Sequence, residues 1–301
     1  MELRLFDPTI HPRTLVRHFR PADFVADNQL LDGAYKENVI EEAVKIGVAG
    51  FTGLSVLTNK LRGKEVYQIQ DMAQKLVLRH VNKNIRYLTG VKQDDRQFII
   101  KCLRSLVSEG TMFRAYKFDI KSFYENVSPH EVVLSLQSDI GFSGQSAAAL
   151  KSFFVQLDQL GIKGLPRGLG LSATLAEYLL RPFDDVVANA NGVWFYARFV
   201  DDIFIITDGR ENQKSFETLV ASALPKGLEF NSKSDCMDFG AFKKNDTGLE
   251  NEFDFLGYRF EVHKPERVGL ANKIARKVTL DIAPSKVRRI KSRVALSLLK
   301  F

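Results

Sequence analysis

Apolar positions along the chain recur with two periods, and these divide it into predicted helices and strands. Helical spacing runs over residues 66–87 through Ile69, Met72, Ala73, Leu76, Val77, His80 and Val81. It returns over 94–108 with Phe98, Ile99, Leu103, Leu106 and Val107, and Gly110 closes that stretch. Further helices are predicted over 130–137 behind Pro129, over 146–157, and from Ser172 through Leu175, Tyr178, Leu179 and Phe183. In the last of these, Ser172 is the expected cap and Pro182 the expected kink or stop. Residues 213–224 and 284–301 complete the helical set. Residues 37–61 read as partly helical, weakened by Gly47, Gly50 and Gly53. Residues 1–35, broken by Pro8, Pro12 and Pro21, read as a loosely structured lead-in.

Alternation marks the strands. Over 113–120, Tyr116, Phe118 and Ile120 face one way and Ala115, Lys117 and Asp119 the other. Residues 228–233 and 253–260 read as strands too, with a polar loop over 239–252 between them. Over 194–207, two aromatic and β-branched runs flank Asp201 and Asp202, which predicts a β-hairpin with two acids at its tip. Strands and helices interleaved in this way suggest an antiparallel sheet with helices on one face, an α+β fold.

Composition narrows the class. The chain has 301 residues, enough for one large domain or two to three subdomains. Its two cysteines, Cys102 and Cys236, and its five histidines have no ligand spacing, which argues against a disulfide framework or a zinc site. There is no signal-peptide pattern near the start and no apolar run long enough to span a membrane, so the expected location is cytoplasmic. Net charge is +7, and the segment from Lys264 onward holds eleven Lys/Arg against Glu266 and Asp281. The basic character therefore reads as a C-terminal feature, suited to a nucleic-acid backbone or simply to a solvated face.

The chemistry gathers on acids. Adjacent charges beside so much apolar surface cost free energy unless a cation pairs with them. An Asp-rich turn is the plain alternative. Asp119, 82 positions before Asp201, ends its strand on the face opposite the apolar row, and no turn chemistry explains it. Between them lies a glycine-rich stretch, 161–170, whose backbone can approach a partner closely. Three carboxylates on adjacent strands could hold two divalent ions for phosphoryl transfer.

In motif order the chain resembles the reverse transcriptase family over roughly residues 87–270. Phe118-Asp119-Ile120-Lys121-Ser122-Phe123-Tyr124 is similar to the first palm motif. Gly164-Leu165-Pro166-Arg167-Gly168 with Leu171-Ser172-Ala173 is similar to the second, and Phe199-Val200-Asp201-Asp202 to the catalytic box. Asn231-Ser232-Lys233 is similar to the fourth motif, and Phe255-Leu256-Gly257-Tyr258 to the primer-grip hairpin of bacterial members. Among relatives, the wording is closest to bacterial retron and abortive-infection (phage-defence) enzymes.

The resemblance implies a right-hand polymerase with an antiparallel palm sheet, helical fingers and a short helical thumb. The lead-in would be 1–35, the fingers 36–112, the palm 113–262 with 138–165 contributing to the fingers, and the thumb 263–301. It implies an RNA-directed DNA polymerase using two Mg²⁺ ions, with Mn²⁺ as a substitute. Asp119 and Asp201 would ligate both ions and Asp202 one, with the Ile120 carbonyl completing the site. Lys233 would protonate pyrophosphate. Tyr124 would be the steric gate, with Phe123 as the competing candidate. Arg167 and Gly168 would meet the nucleotide or template base. Lys75, Arg79, Arg86, Lys92 and Arg96 are candidates for triphosphate contact. Leu256, Gly257, Arg289 and Arg293 would meet the primer and duplex backbone. Implied partners are deoxynucleotides, an RNA template or associated RNA, the DNA product, and a partner protein or second copy.

The chain departs from the family at three positions: Phe199 replaces Tyr, Arg167 stands where many relatives have Gln, and Ala173 where many have Pro. Arg167 leaves open template-independent or protein-primed synthesis of the abortive-infection type. A catalytically inactive nucleic-acid-binding scaffold and a two-metal nuclease are the alternatives from other classes.

Overall fold

Helix caps and turn residues fix most element boundaries in the computed structural model, which describes residues 6–61, 63–138, 142–232, 235–269 and 273–299. In chain order the elements are α1 (Pro12–Leu15), α2 (Pro21–Ala26), α3 (Gly33–Ala49), β1 (Val56–Leu61), β2 (Lys64–Ile69), α4 (Met72–Thr89), α5 (Arg96–Val107), β3 (Phe113–Asp119), α6 (Phe123–Asn126), α7 (Pro129–Ser138), α8 (Gly144–Gln159) and α9 (Gly170–Ala188). There follow β4 (Val193–Phe199), β5 (Asp202–Thr207), α10 (Gln213–Ser222), β6 (Asp235–Phe239), β7 (Leu249–Phe255), β8 (Tyr258–His263), β9 (Glu266–Val268), β10 (Lys273–Ala275), β11 (Val278–Ile282) and α11 (Pro284–Leu298). The fold is mixed α and β, and every paired strand is antiparallel. Among the described residues no helix is long and apolar enough to cross a membrane. Two compact units divide the chain: Met1–Lys92, Ser122–Arg181 and Pro225–Leu228 in one, Gln93–Lys121, Pro182–Leu224 and Glu229–Phe301 in the other.

The first unit is mainly helical. Asp71 caps α4 by accepting from the Gln74 N–H, and Gly90, in the left-handed region at φ 67°, ends it. One face of α4 buries Leu76, Val77, Val81 and Ile85, each contributing about 1.5–3 kcal/mol relative to an exposed side chain. Helical spacing over 66–87 overshoots at its start, because Lys64–Ile69 instead pairs with Val56–Leu61 in a β-hairpin. Val66 and Ile69 are three apart and satisfy a helical pattern by coincidence. The expected loose lead-in is instead a run of short helical turns. Pro12 and Pro21 begin helices, where a missing N–H costs nothing, rather than breaking them. Ile10, Leu15 and Leu30 are buried, and Asp23 and Arg79 form a two-pronged ion pair at 2.5 and 2.8 Å. Ser172 is not a helix cap: it lies inside α9 and donates to the Pro166 carbonyl at 2.7 Å. Pro182 does not stop α9, which continues to Ala188.

In the second unit a four-stranded sheet has the order β4-β5-β3-β6, and a three-stranded sheet the order β11-β8-β7. Much of the aromatic content is used here. Phe204 packs 5.2 Å from Phe253 and 5.1 Å from Phe255, ring centre to ring centre, and Phe113 stacks on Phe239 at 4.3 Å. Ile99, Leu103 and Val107 of α5 join the same core. The predicted strand over 228–233 reduces, among the described residues, to a single bridge between Phe230 and Ile120, and the ladder partner of β3 is β6. The predicted loop over 239–252 is entered by β7 from Leu249. Residues 263–301 are not simply helical, since β9, β10 and β11 precede α11. The expected apolar face of α11 is unburied: Ile290, Val294 and Leu298 are all exposed.

Candidate active-site carboxylates

Strand register brings the acids together. Asp119, the last residue of β3, lies opposite Asp202, the first of β5. Phe199 also pairs with Asp202, leaving Val200 and Asp201 as a two-residue hairpin turn. The Ile120 N–H donates to the Asp201 carbonyl at 3.1 Å. All three acids are half-buried. Burial, followed by the charges of Asp201 and Asp119, pushes the Asp202 carboxyl up to about 6.

The turn is strained. Val200 has φ 63°, a β-branched residue in the region that usually takes glycine at the first position of a type II′ turn. Such a conformation costs on the order of 1–3 kcal/mol and persists where the surroundings over-determine it. Arg198 supplies that support. It is 7% exposed, forks onto Asp184 with Nε and Nη2 at 2.7 Å each, and donates from Nη1 to the Val200 carbonyl at 3.2 Å. The Tyr196 hydroxyl donates to the same carboxylate, and burial raises that phenol above its ordinary range.

Asn231 closes the other side of Asp119. Its N–H donates to the Asp119 carbonyl at 2.8 Å, and its Nδ2 donates to Asp119 Oδ2. As a donor set the three carboxylates are hard oxygen ligands of the kind Mg²⁺ or Mn²⁺ takes. Their mutual repulsion at Asp202 is what a divalent cation would relieve. They do not close round a point as they stand: among the described residues no three His, Cys, Asp or Glu side chains form a ready-made metal cage. Lys233 lies outside the described residues.

The first unit holds a second group of predicted residues. Of the two gate candidates, Phe123 is fully buried and Tyr124 half-buried. The Arg167 guanidinium lies 4.9 Å over the Tyr124 ring and forks onto Glu125 at 2.9 Å through both Nε and Nη2. Arg167 holds the Glu125 carboxyl down at about 2, and Lys64 adds a further contact at 3.6 Å. The loop fits closely against β2: the Tyr67 N–H donates to the Arg167 carbonyl at 2.8 Å. Gly168 has φ 97°, and a Cβ there would lie 2.8 Å from the Tyr67 carbonyl oxygen. Gly164, at φ 71°, leaves no room for a Cβ against the Tyr124 carbonyl.

The remaining predicted residues separate. Arg96 belongs to the second unit, where it donates to the Leu256 carbonyl and lies 5.4 Å over the Tyr258 ring. It therefore braces the Leu256-Gly257 turn, whose residues have φ 47° and 75°. Arg289 donates to Ser285 within its own helix, and Arg293 is exposed. Arg79 is committed to Asp23, and Arg86 is exposed beside a cavity of the first unit. Sequence reasoning missed the roles of Arg198, Asp184, Asn231 and Glu125. The first two are 14 positions apart and meet only through the fold.

No protein-family model matches the chain, and no curated protein matches it. Among solved structures it is similar to apo telomerase from Candida tropicalis truncated from the C-terminal domain, at 12% identity and a TM-score of 0.45. The match covers 82% of this chain and 60% of that one, so the chain spans less than two thirds of its neighbour. A likeness of that size defines neither a family nor an activity.

Proposed function

We propose that the chain is a nucleotidyl transferase of the reverse-transcriptase type, extending a 3′ end with deoxynucleotides in an RNA-directed reaction. One observation carries this reading: residues 82 positions apart in sequence, Asp119 and Asp201, are tied together by a strand register that sets Asp119 opposite Asp202. The motif order around them supports it. Asp119, Asp201 and Asp202 would hold the divalent ions, with the Ile120 carbonyl nearby. When bound, such ions activate the attacking oxygen and stabilise the departing pyrophosphate.

The chain's own residues have separable tasks. Arg198 holds the turn that carries Asp201. Asn231 orients the Asp119 carboxylate. Glu125 fixes Arg167 across the Tyr124 ring, and that ring would exclude a ribose 2′-hydroxyl. Lys233 would protonate pyrophosphate. A role in antiviral defence rests on the family resemblance alone.

Primer extension with Mg²⁺ and deoxynucleotides, on an RNA template and without one, tests the reading. Template-dependent product that disappears in Asp201→Ala/Asp202→Ala is expected. Product whose length and sequence ignore the template would replace the templated reading with template-independent or protein-primed synthesis. Biological activity unchanged in the double variant would replace it with a binding scaffold, and DNA degradation without nucleotides with a nuclease.

A further inference from the structure

The first unit carries a cavity of about 550 Å³ lined by six Lys/Arg side chains and no acid. Arg17 and Arg20 come from the turns around α1, Arg79, Lys83 and Arg86 from α4, and Lys92 from the segment after it. Arg79 is neutralised by Asp23. Among the described residues none of the other five is paired with an acidic side chain. Asp7, in the adjoining cavity that shares Arg17 and Lys83, is committed to Thr9 and His11. The field is felt locally: burial first, and then His80, Lys83, Arg79 and Arg20, push His18 down to about 3. A second cavity, of about 420 Å³, shares Arg20, Arg79 and Asn82 with the first and adds Lys75, continuing the basic surface.

Like charges gathered this way repel one another, and a polyanion relieves the repulsion. Lys83 and Arg86 are neighbours on one face of α4, and Arg17, Arg20 and Lys92 join them around the cavity from the segments before and after that helix. Five cations drawn from separate segments suit a chain of phosphates better than a single phosphate group. Tyr87, 56% exposed, lines the same cavity; one face of its ring is stacked on Phe6 at 4.1 Å. Cations grouped beside an exposed aromatic ring are how single-stranded nucleic acid is held without sequence preference.

We infer that this cavity is a binding site for the backbone of a single-stranded nucleic acid, with Arg17, Arg20, Lys83, Arg86 and Lys92 contacting phosphates and Tyr87 available to a base. The site uses none of the carboxylates of the second unit and stands whether or not they are catalytic.

The test uses the full chain and a fluorescein-labelled oligouridylate, titrated by anisotropy across a salt series. Arg17→Glu/Arg86→Glu should weaken binding at least about tenfold and lower the salt slope by about 1.4, the value for two lost single-strand contacts. Lys214→Glu/Lys226→Glu, with the same charge change elsewhere, should leave both unchanged. Asp201→Ala/Asp202→Ala should abolish extension yet retain the strand affinity, which separates failure here from failure of the proposed function. Photo-crosslinking of 4-thiouridine-substituted RNA should label peptides within 79–92. Unchanged affinity and slope in Arg17→Glu/Arg86→Glu, circular dichroism being native, would overturn the inference. So would crosslinks confined to residues 182–224 and 229–301. Tripolyphosphate displacing the strand as effectively as unlabelled oligonucleotide of equal phosphate content would reassign the site to small oligophosphates and overturn it as a strand site.

Discussion

Replacing Arg198 by Met should damage stability and activity by different routes, and the two can be separated. The side chain is 7% exposed, and its fork satisfies both oxygens of Asp184 while Nη1 holds the Val200 carbonyl. Arg198→Met leaves Asp184 half-buried and without its cation. Breaking a buried pair from one side costs roughly 3–5 kcal/mol, most of it the penalty of the stranded charge. At about 2–4 °C per kcal/mol for a domain of this size, the melting temperature should fall by about 6–20 °C. Arg198→Met/Asp184→Leu removes the charge as well and should recover most of the loss, because an apolar pair of similar volume replaces a buried ion pair at little net cost. The double variant still lacks the hydrogen bond to Val200, so the strained turn loses its brace. Primer-extension kcat should remain at least about tenfold low, since small misplacements of reacting groups are expensive. Urea unfolding followed by circular dichroism, paired with single-nucleotide extension, measures both. A single variant costing under about 1 kcal/mol would refute the network as a support. A double variant with full activity would refute the claim that Arg198 positions the Asp201 turn.

His18 is held neutral in the folded protein and pushed down to about 3, against an ordinary value of 6.5. The unfolded chain therefore binds the extra proton first, and stability should fall as pH drops from 6.5 toward 3; His18→Asn should flatten that part of the curve in urea titrations. Glu125→Gln should free Arg167 from its place over Tyr124 and raise the KM for deoxynucleotide by no more than about fivefold, as for a partly exposed ion pair, with kcat nearly unchanged in steady-state extension. Gly168→Ala must adopt φ 97° and meet the Tyr67 carbonyl, and should destabilise by about 2–3 kcal/mol in thermal melts.

How much of this could be read from residues alone depended on whether the signal was local. Helix α5 was legible because Asp95 caps it and its apolar stripe is intact. The hairpin of β4 and β5 was legible because its two runs are rich in β-formers on either side of two acids. The β1–β2 hairpin was hidden because Gly50 and Gly53 weakened a helical reading without supplying a strand signal, and Val66 and Ile69 fitted either period. The strands between Glu266 and Ile282 are short and mostly exposed, so they carry little alternation to read. At the carboxylates, the acids themselves stood out, but Arg198, Asp184 and Asn231 acquire roles only when strands pair. The basic cavity of the first unit was legible only in part. Lys75, Arg79, Lys83, Arg86 and Lys92 follow one another without an intervening acid, but Arg17 and Arg20 lie far from them in sequence, and only packing sets them around the same cavity.

The single tryptophan of the chain, Trp194, sits on edge strand β4, 55% exposed and seven residues from Asp201. The protein thus carries its own fluorophore on the hairpin of interest, and none in the helical unit. Selective tryptophan emission will report the environment of the carboxylate sheet alone, while far-ultraviolet dichroism weights the helices. Non-coincident transitions from these two signals would reveal the units melting separately, without any label being introduced.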